Sequence, residues 1–280
     1  MLRKDKRMNW EEQRAVVTGA AYGIGREIVF SLAKRGCRVA CLDIADDDNV
    51  RTAGRASELA GKQCRAYHCD IADPDGIDET FEKIFREFGG IDILINNAGV
   101  FSAMSFVGDT YEAALEDFHF NMDVNARGTF LCAKKAAPQM AKRGGGHVIN
   151  VVTNHVKRYL FPPSDSEHSY DASKYAQLAL NESLDCELKA YGIRVNAVCP
   201  AATRTPMLQS FFDSLGMEMT KETIGKCTGI PSLLEPDEVA EAVCSILEWD
   251  ETQPTGRAML LVHSEDCEKL KYGYVEELGR

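Results

Sequence analysis

Seven short apolar runs recur along the chain and constrain its fold more than any other feature. They are AVVT from position 15, RVACLD from 38, CRAYHCD from 64, DILINN from 92, HVINVVT from 147, RVNAVCP from 194 and AMLLVH from 258. Most are apolar at consecutive positions instead of alternate ones, the pattern of strands covered on both faces. Helical patterns separate them, at Ile24–Arg35, Asn49–Leu59, Asp75–Phe88, Glu112–Arg143 with a break inside, Tyr170–Tyr191 and Asp237–Glu248, the last entered through Pro236. The alternation predicts an α/β fold: a doubly wound, seven-stranded, mostly parallel sheet with helices on both faces. Ligands of such sheets bind beyond the carboxyl ends of the strands, so function is expected in the loops after Val17, Leu42, Ile95, Val152 and Val198.

At 280 residues, 45% of them hydrophobic, the chain is long enough to bury a full core and short enough to form a single domain over 1–280. Its 32 Lys and Arg stand against 43 Asp and Glu, a formal net charge of −11, and no basic run is placed to neutralise successive phosphates. No nucleic-acid partner is expected. No run approaches the roughly eighteen apolar residues of a membrane span, so no membrane partner is expected either. Ten cysteines in a chain this long, behind the polar opening MLRKDKRMNWEEQR, read as free thiols of a cytoplasmic protein. C-x-x-C is absent and the histidines are scattered, so no metal site is expected.

The first run leads into Thr18-Gly19-Ala20-Ala21-Tyr22-Gly23-Ile24-Gly25 and then a helix. Gly19, Gly23 and Gly25 let backbone approach a pyrophosphate closely, and the free N–H groups at the positive end of the helix stabilise it without a basic side chain. Such a turn between a first strand and a first helix points to a dinucleotide and to the Rossmann type of doubly wound sheet. The second strand ends in Asp43, eighteen residues past Gly25. A carboxylate there accepts hydrogen bonds from the adenosine ribose of NAD and repels the extra phosphate of NADP. Tyr22 occupies a loop position where a basic residue would favour that phosphate, and Ile44 follows Asp43. NAD is therefore the expected cofactor, and NADP is disfavoured.

Three further segments complete a pattern: Asn96-Asn97-Ala98-Gly99, Tyr170-Asp171-Ala172-Ser173-Lys174, and Pro200-Ala201-Ala202-Thr203-Arg204-Thr205-Pro206-Met207. With the first loop, in this order and over roughly 14–263, the chain resembles the short-chain dehydrogenase/reductase family, in its shorter branch. The resemblance implies that Gly19, Tyr22 and Ile24 lie against the cofactor phosphates and ribose, with Asp43 on the adenosine ribose. It places Asp70 and Ile71 near the adenine, and Asn97, Ala98 and Gly99 along the adenosine side of the cleft. Pro200, Thr203 and Thr205 would approach the nicotinamide, with Ala201 standing where the family has a glycine. It further implies a substrate lid over about 207–232, where Leu208, Phe211, Phe212, Leu215 and Met219 recur at helical spacing. A homo-oligomer, tetramer or dimer, is implied through the helices that carry Asn125 and Tyr170. The likeness stops at the tail, 264–280, because the last strand runs into Val262-His263-Ser264-Glu265-Asp266 instead of the usual Asp-Gly-Gly turn.

Tyr170 and Lys174 stand one helical turn apart and share a face. A free phenol titrates near pH 10, and a neighbouring ammonium is expected to lower that value. The resemblance makes Tyr170 the proton carrier, Lys174 its tuner and the holder of the nicotinamide ribose, and Asn125 the support of a proton-carrying water. It places Thr153 where the family's substrate-orienting serine stands, with Asn154 as the alternative. Threonine keeps the one donor and two lone pairs of serine and adds a methyl group. Seventeen positions separate Thr153 from Tyr170, so the intervening loop carries about four more residues than is usual in the family. That insertion is expected to reshape the pocket, while His155 and His168 are read as ordinary loop residues.

The expected function is thus an NAD-dependent alcohol dehydrogenase or carbonyl reductase acting on a small secondary alcohol or ketone, ring-containing if the pocket aromatics are a guide. Two other readings stay open: a dinucleotide-sensing regulator without turnover, and an epimerase or dehydratase with a tightly held NAD. The intact Tyr170, Lys174 and Asn125 argue against the first, and the glycine spacing of the first loop against the second.

Overall fold

The computed structural model describes residues 8–156, 166–228, 231–249 and 252–263. Residues 157–165 of the inserted loop (155–169), which the sequence marked as pocket-shaping, and the tail at 264–280 lie outside the described residues. Seven strands form one sheet: β1 (Arg14–Thr18), β2 (Arg38–Asp43), β3 (Arg65–His68), β4 (Ile93–Asn96), β5 (Gly146–Val151), β6 (Ile193–Pro200) and β7 (Ala258–Leu261). Their spatial order is β3-β2-β1-β4-β5-β6-β7. Every pairing is parallel, for example Val17 beside Cys41 on one side and beside Ile95 on the other. The mostly parallel sheet expected from the sequence is, among the described residues, parallel throughout. After β3 the chain returns to the far side of β1, so β1 and β4 diverge at a switch point whose crevice opens at their carboxyl ends.

Helices cover both faces because the strands are apolar on both. Ala15 and Val17 face one layer, with α1 (Gly23–Lys34), α2 (Asp46–Ala60) and α9 (Pro236–Leu247). Val16 faces the other, with α3 (Pro74–Phe88) and α5 (Thr129–Lys142). A smaller cluster of Phe212, Met219, Ile224 and Leu233 lies under α7 (Pro206–Ser214) and α8 (Lys221–Thr228), the segment expected as a lid. Helix α2 begins three residues before the apolar pattern does, because Asp46, Asp47 and Asp48 occupy its first turn and complement the helix dipole.

The long helical stretch expected to break within 112–143 does not break. Helix α4 (Tyr111–Asn121) passes through a π-helical segment (Met122–Gly128) directly into α5, with helical backbone angles at both joints. Helix α6 (His168–Leu188) starts two residues before Tyr170.

Candidate active site

The sequence-marked loops meet at the carboxyl rim of the sheet. Thr18 Oγ accepts the backbone N–H groups of Asn97 and Ala98 at 3.1 and 3.0 Å, and Asn97 Nδ2 donates to the carbonyls of Thr18 and Gly19, both at 3.0 Å. These bonds fasten the ends of β1 and β4 across the switch point. The first loop then turns through Gly19 (φ 64°) and Gly23 (φ 52°), left-handed backbone that favours glycine. Gly23 enters α1 with no side chain capping the helix, so its first N–H groups face the crevice.

Asp43 is held rigidly: its carboxylate accepts from the N–H groups of Ala21 and Ala45, each at 2.9 Å. Tyr22 is half-exposed and donates its hydroxyl to Asp48. Asp70 lies on the same rim, one residue past Cys69, whose N–H donates to the Asp43 carbonyl at 3.1 Å. Ile71 is buried against Gly128, where an added Cβ would stand 2.7 Å from the Ile71 carbonyl. From the other side, Pro200 ends β6, Thr203 Oγ donates to the Ala201 carbonyl at 2.9 Å, and Thr205 caps α7. Thr205 also touches the first loop, since a Cβ at Gly23 would lie 3.1 Å from its methyl group. The two ends of the expected cofactor path are therefore contiguous.

Tyr170 and Lys174 project from the start of α6 beneath this rim. The Thr153 hydroxyl is hydrogen-bonded to Tyr170, and Asn154 Oδ1 beside it accepts from Thr153 Oγ at 3.3 Å. Burial pushes the Tyr170 phenol up to about 12, against the smaller lowering by Thr153, while Glu167 raises it further. Burial also brings the Lys174 ammonium down to about 8. The expected lowering of the phenol by Lys174 is not found, because desolvation dominates and Lys174 Nζ stands 5.8 Å from the centre of the tyrosine ring.

Lys174 is 4% exposed and donates to the Val151 carbonyl at 3.2 Å and to Gln177 Oε1 at 3.0 Å. Gln177 Nε2 in turn donates to Thr129 Oγ at 2.9 Å, and Thr129 to the Asn125 carbonyl at 2.8 Å. Asn125, inside the π-helical segment, accepts from Val100 N at 2.8 Å and donates to Val100 O and Ser173 Oγ, both at 2.9 Å. A buried chain of hydrogen bonds thus links Asn125 to Lys174 through protein groups. Gln177 was overlooked in the sequence, although its place three residues after Lys174 puts both on one helix face. Gly99 adjoins both ends of that chain: an added Cβ would lie 3.1 Å from Asn125 Oδ1 and 3.4 Å from Lys174 Nζ.

The cleft beside Tyr170 has a volume of about 1040 Å³ and reaches from Ile24 to Cys227. Phe101 stacks edge-on against Tyr170 at 5.1 Å, and Phe211 of α7 against Phe101 at 5.3 Å, so the expected lid touches the site through aromatic contacts. His155 also lines the cleft, 5.8 Å from the Tyr170 ring, together with Glu167. The sequence treated that histidine as incidental.

The family profile described as short chain dehydrogenase matches residues 13–216. The chain belongs to this family. Among relatives within it, a short-chain dehydrogenase/reductase of Armillaria gallica is 32% identical over 88% of this chain and 92% of its own length. The farnesol dehydrogenase of Aedes aegypti is 33% identical over 85% and 91%. The solved structure of L-sorbose reductase from Gluconobacter frateurii, complexed with NADPH and L-sorbose, superposes with a TM-score of 0.80 at 25% identity and covers 89% of this chain and 94% of that one. The short-chain dehydrogenase family is one of oxidoreductases that use nicotinamide dinucleotides, and this chain shares that fold and class. No helix among the described residues is long and apolar enough to cross a membrane.

Proposed function

We propose that the protein is an NAD(H)-dependent oxidoreductase that interconverts a small secondary alcohol and the corresponding ketone. The observation that carries this reading is the Tyr170–Thr153 hydroxyl pair in a cleft that continues to Ile24 at the uncapped end of α1. The residues fit a dinucleotide: the α1 N–H groups for its phosphates, Asp43 for the adenosine ribose, and Lys174 for the ribose nearer the reacting ring. When bound, the nicotinamide supplies or accepts the hydride. The chain's part is the proton. Thr153 orients the substrate oxygen, Tyr170 donates a proton to it during reduction or takes one during oxidation, and Lys174, one helical turn away, holds the ribose beside them. With its phenol pushed up to about 12, Tyr170 is protonated at neutral pH, the form that donates to a carbonyl.

Preference for NAD over NADP rests on the fixed Asp43 carboxylate and on Asp46, Asp47 and Asp48 behind it, a local negative field that opposes a further phosphate. The apolar wall of Phe101, Met207, Leu208, Phe211 and Leu215 supports a ring-containing substrate. Assembly as a homotetramer or dimer through α4, α5 and α6 accords with half-exposed Leu115, Phe118, Phe120 and Phe130. A cytoplasmic location accords with the free thiols found at all nine described cysteines.

A panel of cyclic and open-chain secondary alcohols, offered first with NAD and then with NADP, tests the reading. Steady NADH formation is expected with at least one alcohol, and about tenfold less turnover with NADP, on the order of one unfavourable charge contact. No turnover across the panel, or faster turnover with NADP, would count against it.

The role of Thr153 has its own test. Thr153→Ser is expected to keep activity. Thr153→Val keeps the shape and removes the hydroxyl, and is expected to lose at least about tenfold in kcat/KM, on the order of one hydrogen bond. Equal rates for Val and Thr would move the role elsewhere, with Asn154 as the nearest candidate.

A further inference from the structure

We propose that His155, Glu167 and Asp171 form a binding site for a divalent metal ion of the zinc class in the wall of the substrate cleft. Among the described residues, these three converge with one ligand atom each, all within 4.8 Å of one another. His155 Nδ1 lies 3.0 Å from Asp171 Oδ1 and 3.1 Å from Glu167 Oε2. Zinc holds nitrogen and oxygen ligands at about 2.0–2.2 Å in a tetrahedron, which puts neighbouring ligand atoms roughly 3.4 Å apart. The two separations from His155 fall short of that by a few tenths of an ångström, so a small outward shift of the side chains accommodates the ion.

A proton does not satisfy the arrangement. One imidazole Nδ1–H between two carboxylates serves one of them, and here the hydrogen-bonded one is Asp171. Glu167 is 9% exposed, and among the described residues its Oε2 has no hydrogen-bond partner although it lies 3.1 Å from the same nitrogen. A buried carboxylate oxygen without a donor is costly. An ion at the point of convergence accepts a lone pair from all three ligands at once, and its double charge offsets two carboxylates where an imidazolium offsets one. One nitrogen and two oxygen ligands suit zinc or manganese, and the absence of thiolate argues against copper(I).

Local structure explains the convergence. The short 3-10 turn Asn154–Val156 brings His155 over the start of α6, where Glu167 and Asp171 are four residues apart and share a face. Loop and helix are joined in sequence only through the inserted segment, so the spacing His155-x11-Glu167-x3-Asp171 matches none of the short ligand patterns looked for in the sequence.

The test is zinc itself, titrated calorimetrically into chelator-stripped full-length protein in the absence of dinucleotide and alcohol, so that its outcome is independent of the proposed reaction. One zinc per chain is expected to bind, and to bind at least about tenfold more weakly in Glu167→Gln, since even partners one shell removed from a metal cost that much. Cys186 and Cys227 are exposed thiols that also attract zinc, so the double Cys→Ser variant is run beside it and is expected to bind as the parent does. If Glu167→Gln does not fold by circular dichroism, Asp171→Asn replaces it with the same expectation. Cobalt(II) in place of zinc is expected to show the visible absorption of nitrogen and oxygen ligation without a thiolate band. Absence of stoichiometric zinc binding, binding unchanged in the carboxylate variant, or binding lost in the cysteine variant each overturns the site.

Discussion

Tyr170→Phe is expected to lower turnover by about 10²- to 10⁴-fold in both directions, the range of a positioned general acid or base. The substitution removes one oxygen and leaves the ring, so the edge-on contacts with Phe101 at 5.1 Å and His155 at 5.8 Å remain. Dinucleotide affinity is expected to stay within about threefold, because the α1 N–H groups, Asp43 and Lys174 are untouched. Deletion of the hydroxyl leaves Thr153 to orient the substrate alone, without a proton to give. Stopped-flow single turnover, together with fluorescence titration of NADH, separates the two quantities. A variant that keeps more than a tenth of the parental rate would show that another group carries the proton.

The second large effect is structural. In Gly25→Ala the new methyl would lie 2.0 Å from the Gly19 carbonyl oxygen and 2.5 Å from Asn97 Nδ2. The first contact is backbone and has no rotamer through which to escape, so the loop or the helix must shift. Overpacking of this kind costs typically about 1–3 kcal/mol, which at about 2–4 °C per kcal/mol for a chain of this class lowers the melting temperature by several degrees. The same shift breaks the bonds by which Asn97 fastens β1 to β4, so loss of measurable dinucleotide binding is expected beside the lower melting temperature. Unchanged melting and unchanged NADH titration would show that the first loop tolerates a side chain where the geometry leaves no room for one.

The sequence was most informative where one residue type is required by backbone geometry. Gly19, Gly23 and Gly25 fix the first loop because no other residue fits it, and the doubly apolar strands fix a sheet with two covered faces. Counting along β5 leads to Thr153, and its hydroxyl is hydrogen-bonded to Tyr170. What the sequence did not carry were relations between side chains distant in the chain. Gln177 looks like any polar residue of a long helix until Lys174 and Thr129 are seen on either side of it. The balance between burial and a neighbouring ammonium at Tyr170 was misjudged for the same reason, since desolvation depends on everything packed around the ring. The stretch 112–143 was expected to contain a break, whereas a π-helical segment at 122–128 changes the helical hydrogen bonding without interrupting the chain.

That π-helical turn has a consequence for the kinds of sequence change the protein tolerates. A π segment amounts to a residue inserted into an α-helical rod, kept because the site gains from it more than the rod loses. Each α-helical residue advances the chain by about 100°, so the insertion offsets the face of α5 against that of α4 by about that angle. The offset is what lets Asn125 reach Val100 and Ser173 while Cys132, Ala133, Ala136 and Met140 still face the sheet. A regular rod, one residue shorter, is therefore the nearest neighbour of this protein in sequence space: better hydrogen-bonded along its helix and without its asparagine in place. Substitutions between 122 and 128 leave the phase intact, and a single deletion there reverses it.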